Sequence, residues 1–305
     1  MDKNITAEII RKSDISDLRR ELHLDYIFQT KGNNYQWCDK KIALITYFNN
    51  VNFLDKCLKY IMLLPKYVDI FIITKNKDIA RLVKIKLQLE NSHTVIDSID
   101  KYRGIGPLLT TYKDILLTYE YFGFIYDEKA SSNERFQTVK YSLCDLMWEN
   151  TIKNDIYVGH IIETFERELH LGILTPPSPY MSTFFKTGFC GWESYYEETI
   201  QFIKQLKLKC QINRDKPPFI LETSFWCRTE ALKPLFTREI SQEDLVLEEG
   251  ILNNRVSHVI ERILPYVAQS QGYYSGIMMT AEYASLYISN YQYMWDELKN
   301  RGILK

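Results

Sequence analysis

A chain of 305 residues, 46% of them hydrophobic, carries enough apolar side chains to close one large core or two small ones. Its 38 basic and 39 acidic residues nearly cancel, which leaves no positive field of the kind a general DNA or RNA binder needs. Nucleic acid is therefore not an expected partner.

The opening stretch is charged throughout and shows no apolar run of the secretory kind. Residues 1–40 read as an amphipathic helix followed by a polar turn at Gly32, Asn33 and Asn34, an appendage to a single domain over 41–305. From Lys41 a strand–helix alternation begins: strand 42–48, helix 53–64 closed by Pro65, strand 68–74, helix 77–89, strand 94–99, helix 108–119, strand 122–126. The second half is less regular. Helices are expected over 136–148 and 154–169, a strand over 171–175, a helix over 195–206 and a strand over 219–226. A helix over 245–264 should stop at Pro265, with a strand over 273–279 and a last helix beyond it. Alternation at this spacing implies βαβ units and an α/β fold with a mostly parallel central sheet flanked by helices.

The longest apolar runs, such as 70–73 and 171–174, suit buried strands and fall far short of the roughly 20 residues that span a bilayer. Cys38, Cys57, Cys144, Cys190, Cys210 and Cys227 form no C-x-x-C pair, which argues against a zinc or redox motif and for reduced thiols in the cytoplasm. No G-x-G-x-x-G turn follows the first strand of the alternation, against a dinucleotide oxidoreductase. In open sheets of this kind ligands bind beyond the carboxyl ends of the strands, which directs attention to 46–50, 100–107 and 127–132.

Residues 225–235 read FWCRTEALKPL, 258–262 read HVIER, and Gly272, Tyr273 and Tyr274 follow; earlier, 103–107 read RGIGP and 126–130 read YDEKA. In this order these blocks resemble the rhamnan synthesis F family, with its F-W-x-R-x-E-A-L-K-P-L, H-A-I-E-R, G-R-D-I-G-P and H-D-K-K-S segments, over about Lys41 to Ser285. The resemblance implies a GT-A-like, Rossmann-type domain and a bacterial hexosyltransferase that builds rhamnose-containing polysaccharide of the cell envelope. Its partners would be a nucleotide-diphosphate sugar donor and a glycan acceptor on lipid or protein. It would work in the cytoplasm, at the inner face of the membrane, with room for peripheral association with that membrane or with other glycosyltransferases.

Sugar transfer needs a clamp on the leaving pyrophosphate, a carboxylate to deprotonate the acceptor, and a pocket for base and sugar. Asp127, at the end of a strand, is the expected ligand for Mg²⁺ or Mn²⁺, with Lys129 beside it. Arg103 offers a bidentate fork to phosphate, and Gly106 lets backbone N–H groups approach the same anion. Arg255, His258 and Arg262 share one helix face, with Val256, Val259, Ile260 and Ile263 on another, the core face, and bring His258 and Arg262 to the donor. Thr46 and Tyr47, closing the first strand of the alternation, and Trp226, as a stacking ring, complete the donor-binding set. Glu222 and Glu248 are the carboxylates for the base.

Two other readings stay open. A non-catalytic glycan-binding or scaffolding subunit is suggested by Gly104, where the family has aspartate, and by 253–255, which read NNR where it has D-G-T. A sugar-nucleotide enzyme of another reaction class fits the bare α/β pattern.

Overall fold

A computed structural model describes residues 25–32, 39–87, 94–97, 105–127, 143–177, 192, 195–210, 212, 214, 224–237 and 254–302. Eight strands form one sheet: β1 (Asp25–Phe28), β2 (Ile42–Phe48), β3 (Val68–Thr74), β4 (Thr94–Asp97), β5 (Tyr121–Tyr126), β6 (Leu171–Thr175), β7 (Phe225–Arg228) and β8 (Tyr274–Thr280). The helices among the described residues are α1 (Val51–Met62), α2 (Lys77–Lys86), α3 (Gly106–Leu109), α4 (Lys113–Leu116), α5 (Leu143–Ile152), α6 (Asp155–Arg167), α7 (Tyr196–Gln205), α8 (Thr229–Phe236), α9 (Asn254–Ser270) and α10 (Ala281–Asn300).

The strand order is β1-β8-β6-β7-β5-β2-β3-β4. All neighbours pair in parallel except β7, which runs antiparallel to both β5 and β6 and so joins two parallel halves. The expected mostly parallel, helix-flanked sheet is thus the observed one. Strand β2 is apolar almost throughout and buried at all seven positions, because helices cover both faces of the sheet. Ala43, Ile45 and Tyr47 point to the face covered by α3, α4, α7, α8 and α9, and Ile42, Leu44 and Phe48 to the face covered by α1, α2, α5 and α6.

Four expectations change. Within the first forty residues, Asp25–Phe28 is a parallel edge strand on β8; four residues with one fully buried side chain leave no readable period. The expected helix over 108–119 is two short pieces, α3 and α4, broken where Thr110 leaves helical geometry (φ −118°, ψ −74°) and its hydroxyl bonds back to the Gly106 carbonyl. Helix α9 does not stop at Pro265 but runs through it to Ser270. An interior proline costs about 3 kcal/mol, yet Tyr266, Val267 and Ala268 beyond it are buried, and full burial of large apolar side chains returns about 1.5–3 kcal/mol each. Finally, β7 lies at Phe225–Arg228, later than expected; 219–223 fall outside the described residues.

A turn at Gly272 (φ +84°) leads from α9 into β8, so α9 runs back across the sheet with Asn254 toward the carboxyl edge of the parallel strands. At about 1.5 Å per residue its length matches the depth of the sheet.

Candidate active site

The chain passes from β2 to β3 and β4 on one side, while β5 flanks β2 on the other. The strand order therefore reverses between β2 and β5, and such a switch point opens a crevice at the carboxyl edge where ligands bind. Asp127 stands in that place. Its N–H donates to the Tyr47 carbonyl (3.0 Å). Its Oδ1 accepts from the Asn49 N–H (2.7 Å) and its Oδ2 from the Asn50 N–H (2.6 Å). The side chain of Asn50 in turn caps α1, accepting from the Asn52 N–H (3.0 Å). Only 2% of Asp127 is exposed, and burial raises its carboxyl from 3.8 to about 7 against the opposing pull of the two amide bonds.

Thr46 and Tyr47 pair with Ile125 and Tyr126 directly beneath this turn. Both side chains are buried in the two faces of the sheet, so what they bring to the edge is backbone. Gly106 is buried at the start of α3, its carbonyl taken by Thr110. Arg262 lies over the Tyr195 ring, 4.7 Å from its centroid. The core face read for its helix is observed, with Val259, Ile260 and Ile263 buried. His258 lies on α9, toward its edge-facing end; its side chain, like Arg103, Lys129, Glu222 and Glu248 as a whole, lies outside the described residues.

Trp226 does not belong to the site. It is fully buried, donates from Nε1 to the Thr151 carbonyl (2.8 Å) and packs so closely on Gly123 that a Cβ there would lie 2.8 Å from its ring. No face remains for a sugar or base to stack on. Arg228 lies at the opposite, amino edge of the parallel strands. Its guanidinium sits over the Tyr121 ring (5.2 Å) and the Tyr273 ring (5.9 Å) and donates to the carbonyls of Phe165 and Leu171. The F-W-x-R block thus builds the sheet and not the ligand edge.

For a divalent ion the described residues fit poorly. Both oxygens of Asp127 already accept amide protons in a nearly inaccessible place, and among the described residues no three His, Cys, Asp or Glu side chains converge on one point. What sequence reasoning missed is the partnership of Asp127 with Asn49 and Asn50. An Asn-Asn pair between a strand and a helix was the available signal, being the residue type that caps helices.

The family model for rhamnan synthesis protein F matches residues 5–273. The chain belongs to that family. A crystal structure of S. aureus TarS, residues 1–349, is similar over 78% of this chain and 57% of that one, at 11% identity and a TM-score of 0.36, so this chain spans less than two thirds of it. No curated protein matches the sequence. Membership covers β1 to β7, α1 to α9 and the whole switch-point edge, and ends just before β8 and α10.

Proposed function

We propose that this member of the rhamnan synthesis protein F family is a glycosyltransferase that moves rhamnose or another hexose from a nucleotide-diphosphate sugar to a cell-surface polysaccharide or glycoprotein glycan. The observation that carries the reading is the family match over 5–273. The position of Asp127, Asn49 and Asn50 at the switch point supports a donor bound over β2 and β5. Strands lie about 4.8 Å apart, so the end of α9, packed over β6 and β8, stands on the order of 10–14 Å along the same edge from Asp127. A span of that length suits an extended donor, with its diphosphate toward the His258 end of α9.

In this proposal Glu248 or Glu222 takes the proton of the acceptor hydroxyl, and Arg103 and Lys129 meet the phosphates. Mg²⁺ or Mn²⁺ would be held by the phosphates of the donor, since both Asp127 oxygens already accept amide protons. The proposal puts the work in the cytoplasm at the inner membrane face, a compartment in which thiols such as Cys57, Cys210 and Cys227 stay reduced. No helix among the described residues is long and apolar enough to cross a membrane.

The test is a panel of nucleotide sugars screened for thermal stabilisation and for nucleotide release, with and without Mn²⁺. Ligand at 100 times its Kd stabilises the folded state by about 2.7 kcal/mol. Stabilisation without release in the presence of any glycan acceptor would favour the second reading, a glycan-binding or scaffolding subunit, which the amide-bonded oxygens of Asp127 support. No stabilisation by any member of the panel would sink the transferase reading and leave the glycan-binding or scaffolding subunit.

A further inference from the structure

Asp127 is the residue on which the family resemblance and the structure disagree. As an expected ion ligand it should present free lone pairs to an open edge. Instead each oxygen accepts one backbone N–H, from Asn49 (2.7 Å) and Asn50 (2.6 Å), and its own N–H binds the carbonyl of Tyr47 (3.0 Å). Three hydrogen bonds thereby tie the end of β5 to the end of β2, where the strand order reverses between them. The two amides belong to the turn between β2 and α1, where a helix start leaves N–H groups without intrahelical partners. Asn49 itself is half-exposed at that turn.

We propose that Asp127 is a positioning residue: its carboxyl group clamps the backbone of Asn49 and Asn50 at the switch point, and so sets where the Asn49 side chain meets the donor nucleotide. The donor half of this statement rests on the transferase reading; the clamp does not. Replacement by asparagine keeps the shape but turns one acceptor into an N–H donor facing an N–H donor, so one bond is lost and one repulsive contact is made.

The experiment compares wild type, Asp127→Asn, Asn49→Ala and the double variant by amide hydrogen exchange and by calorimetric titration of UDP and of dTDP, in Mn²⁺ and in EDTA. In Asp127→Asn, exchange protection at the amides of 49 and 50 should fall about tenfold or more while β3 amides keep theirs, the loss expected for one hydrogen bond replaced by a donor–donor contact. UDP affinity should fall about tenfold by the same factor with and without Mn²⁺. Asn49→Ala should weaken UDP with the two amides still protected, and the double variant should bind no worse than Asp127→Asn, because the two act as one unit. Unchanged protection at 49 and 50 overturns the clamp. A loss of affinity confined to Mn²⁺ makes Asp127 an ion ligand, and additive losses separate it from Asn49; either result overturns the proposal. Wild type that binds neither UDP nor dTDP overturns the transferase reading instead, and the exchange result then decides the clamp by itself.

Discussion

At the residue scale, half-buried Arg228 and buried Asp127 show how differently ionisable side chains are used at the two edges of the sheet. Arg228 is held between aromatic rings and main-chain carbonyls, a geometry that needs the flat, forked guanidinium. Arg228→Lys keeps the charge and loses the fork, so urea unfolding should show a loss of about 1–3 kcal/mol, with UDP affinity unchanged. A loss of UDP binding at full stability would move Arg228 into the site. Asp127 is the opposite case, an acid whose folded-state value, about 7, stands above its unfolded value near 3.9 because burial disfavours the anion. Between these values the native state holds a proton that the unfolded chain has released. Its contribution is therefore full below about pH 4, declines as pH rises, and is gone above about pH 7, with a slope of up to about 1.4 kcal/mol per pH unit. Asp127→Asn lacks the ionisation, so the stability difference between wild type and variant should tilt across pH 4–7 and level off above it. A difference that stays flat over that range would mean the carboxyl titrates normally.

At the element scale, local capping and distant pairing coincide at the start of α6. Asn154 accepts from the Tyr157 N–H (2.9 Å) and donates from Nδ2 to the Thr30 carbonyl (2.8 Å), which secures the chain just after β1. Asn154→Ala should cost about 1–2 kcal/mol in urea unfolding. It should also raise exchange at the β1 amides, whereas a cap acting only on its own helix would leave β1 unchanged. This cap also marks the limit of what the sequence reveals. A helix beginning at Asn154 is legible from the residue type and the apolar spacing after it, and β2, β3, β6 and β8 are legible as apolar runs. The bond to Thr30 is not, because it joins residues 124 positions apart. For the same reason the strand ends that bear Asp127 could be named from the pattern, but the Asn49 and Asn50 amides could not: their contact exists only once β2 and β5 lie side by side. The direction of β7 escaped too, since four apolar residues read alike in either sense. Pro265 misled because a local rule about prolines was outweighed by the burial of Tyr266, Val267 and Ala268.

At the scale of the whole molecule, α10 differs from the rest. Its first turns pack through Tyr283 and Ala284 on Met279 and Leu146, and Thr280 caps it while its own N–H donates to Asn150 Oδ1 (2.9 Å). Beyond Tyr287 no described side chain is buried, and Ile288, Tyr293 and Trp295 are each more than half exposed. Truncation after Ser289 should therefore leave the melting temperature within about 2 °C of the full chain, as removal of surface groups does. A large drop would mean that this half of the helix is covered in solution.

The pairing of β1 with β8 joins the first and the last strand of the described sheet, and Thr30 bonds to Glu282 across 252 positions. On a ribosome adding about 5–20 residues per second, the first strand waits roughly 12 to 50 s for its neighbour to be made. Until then its apolar Phe28 has no sheet to enter, and an incomplete chain cannot seal that margin. The first strand thus reports that synthesis has passed β8: a product cut short before Tyr274 would leave β1 without its partner, open to proteases and chaperones, and a chain that contains β8 covers it.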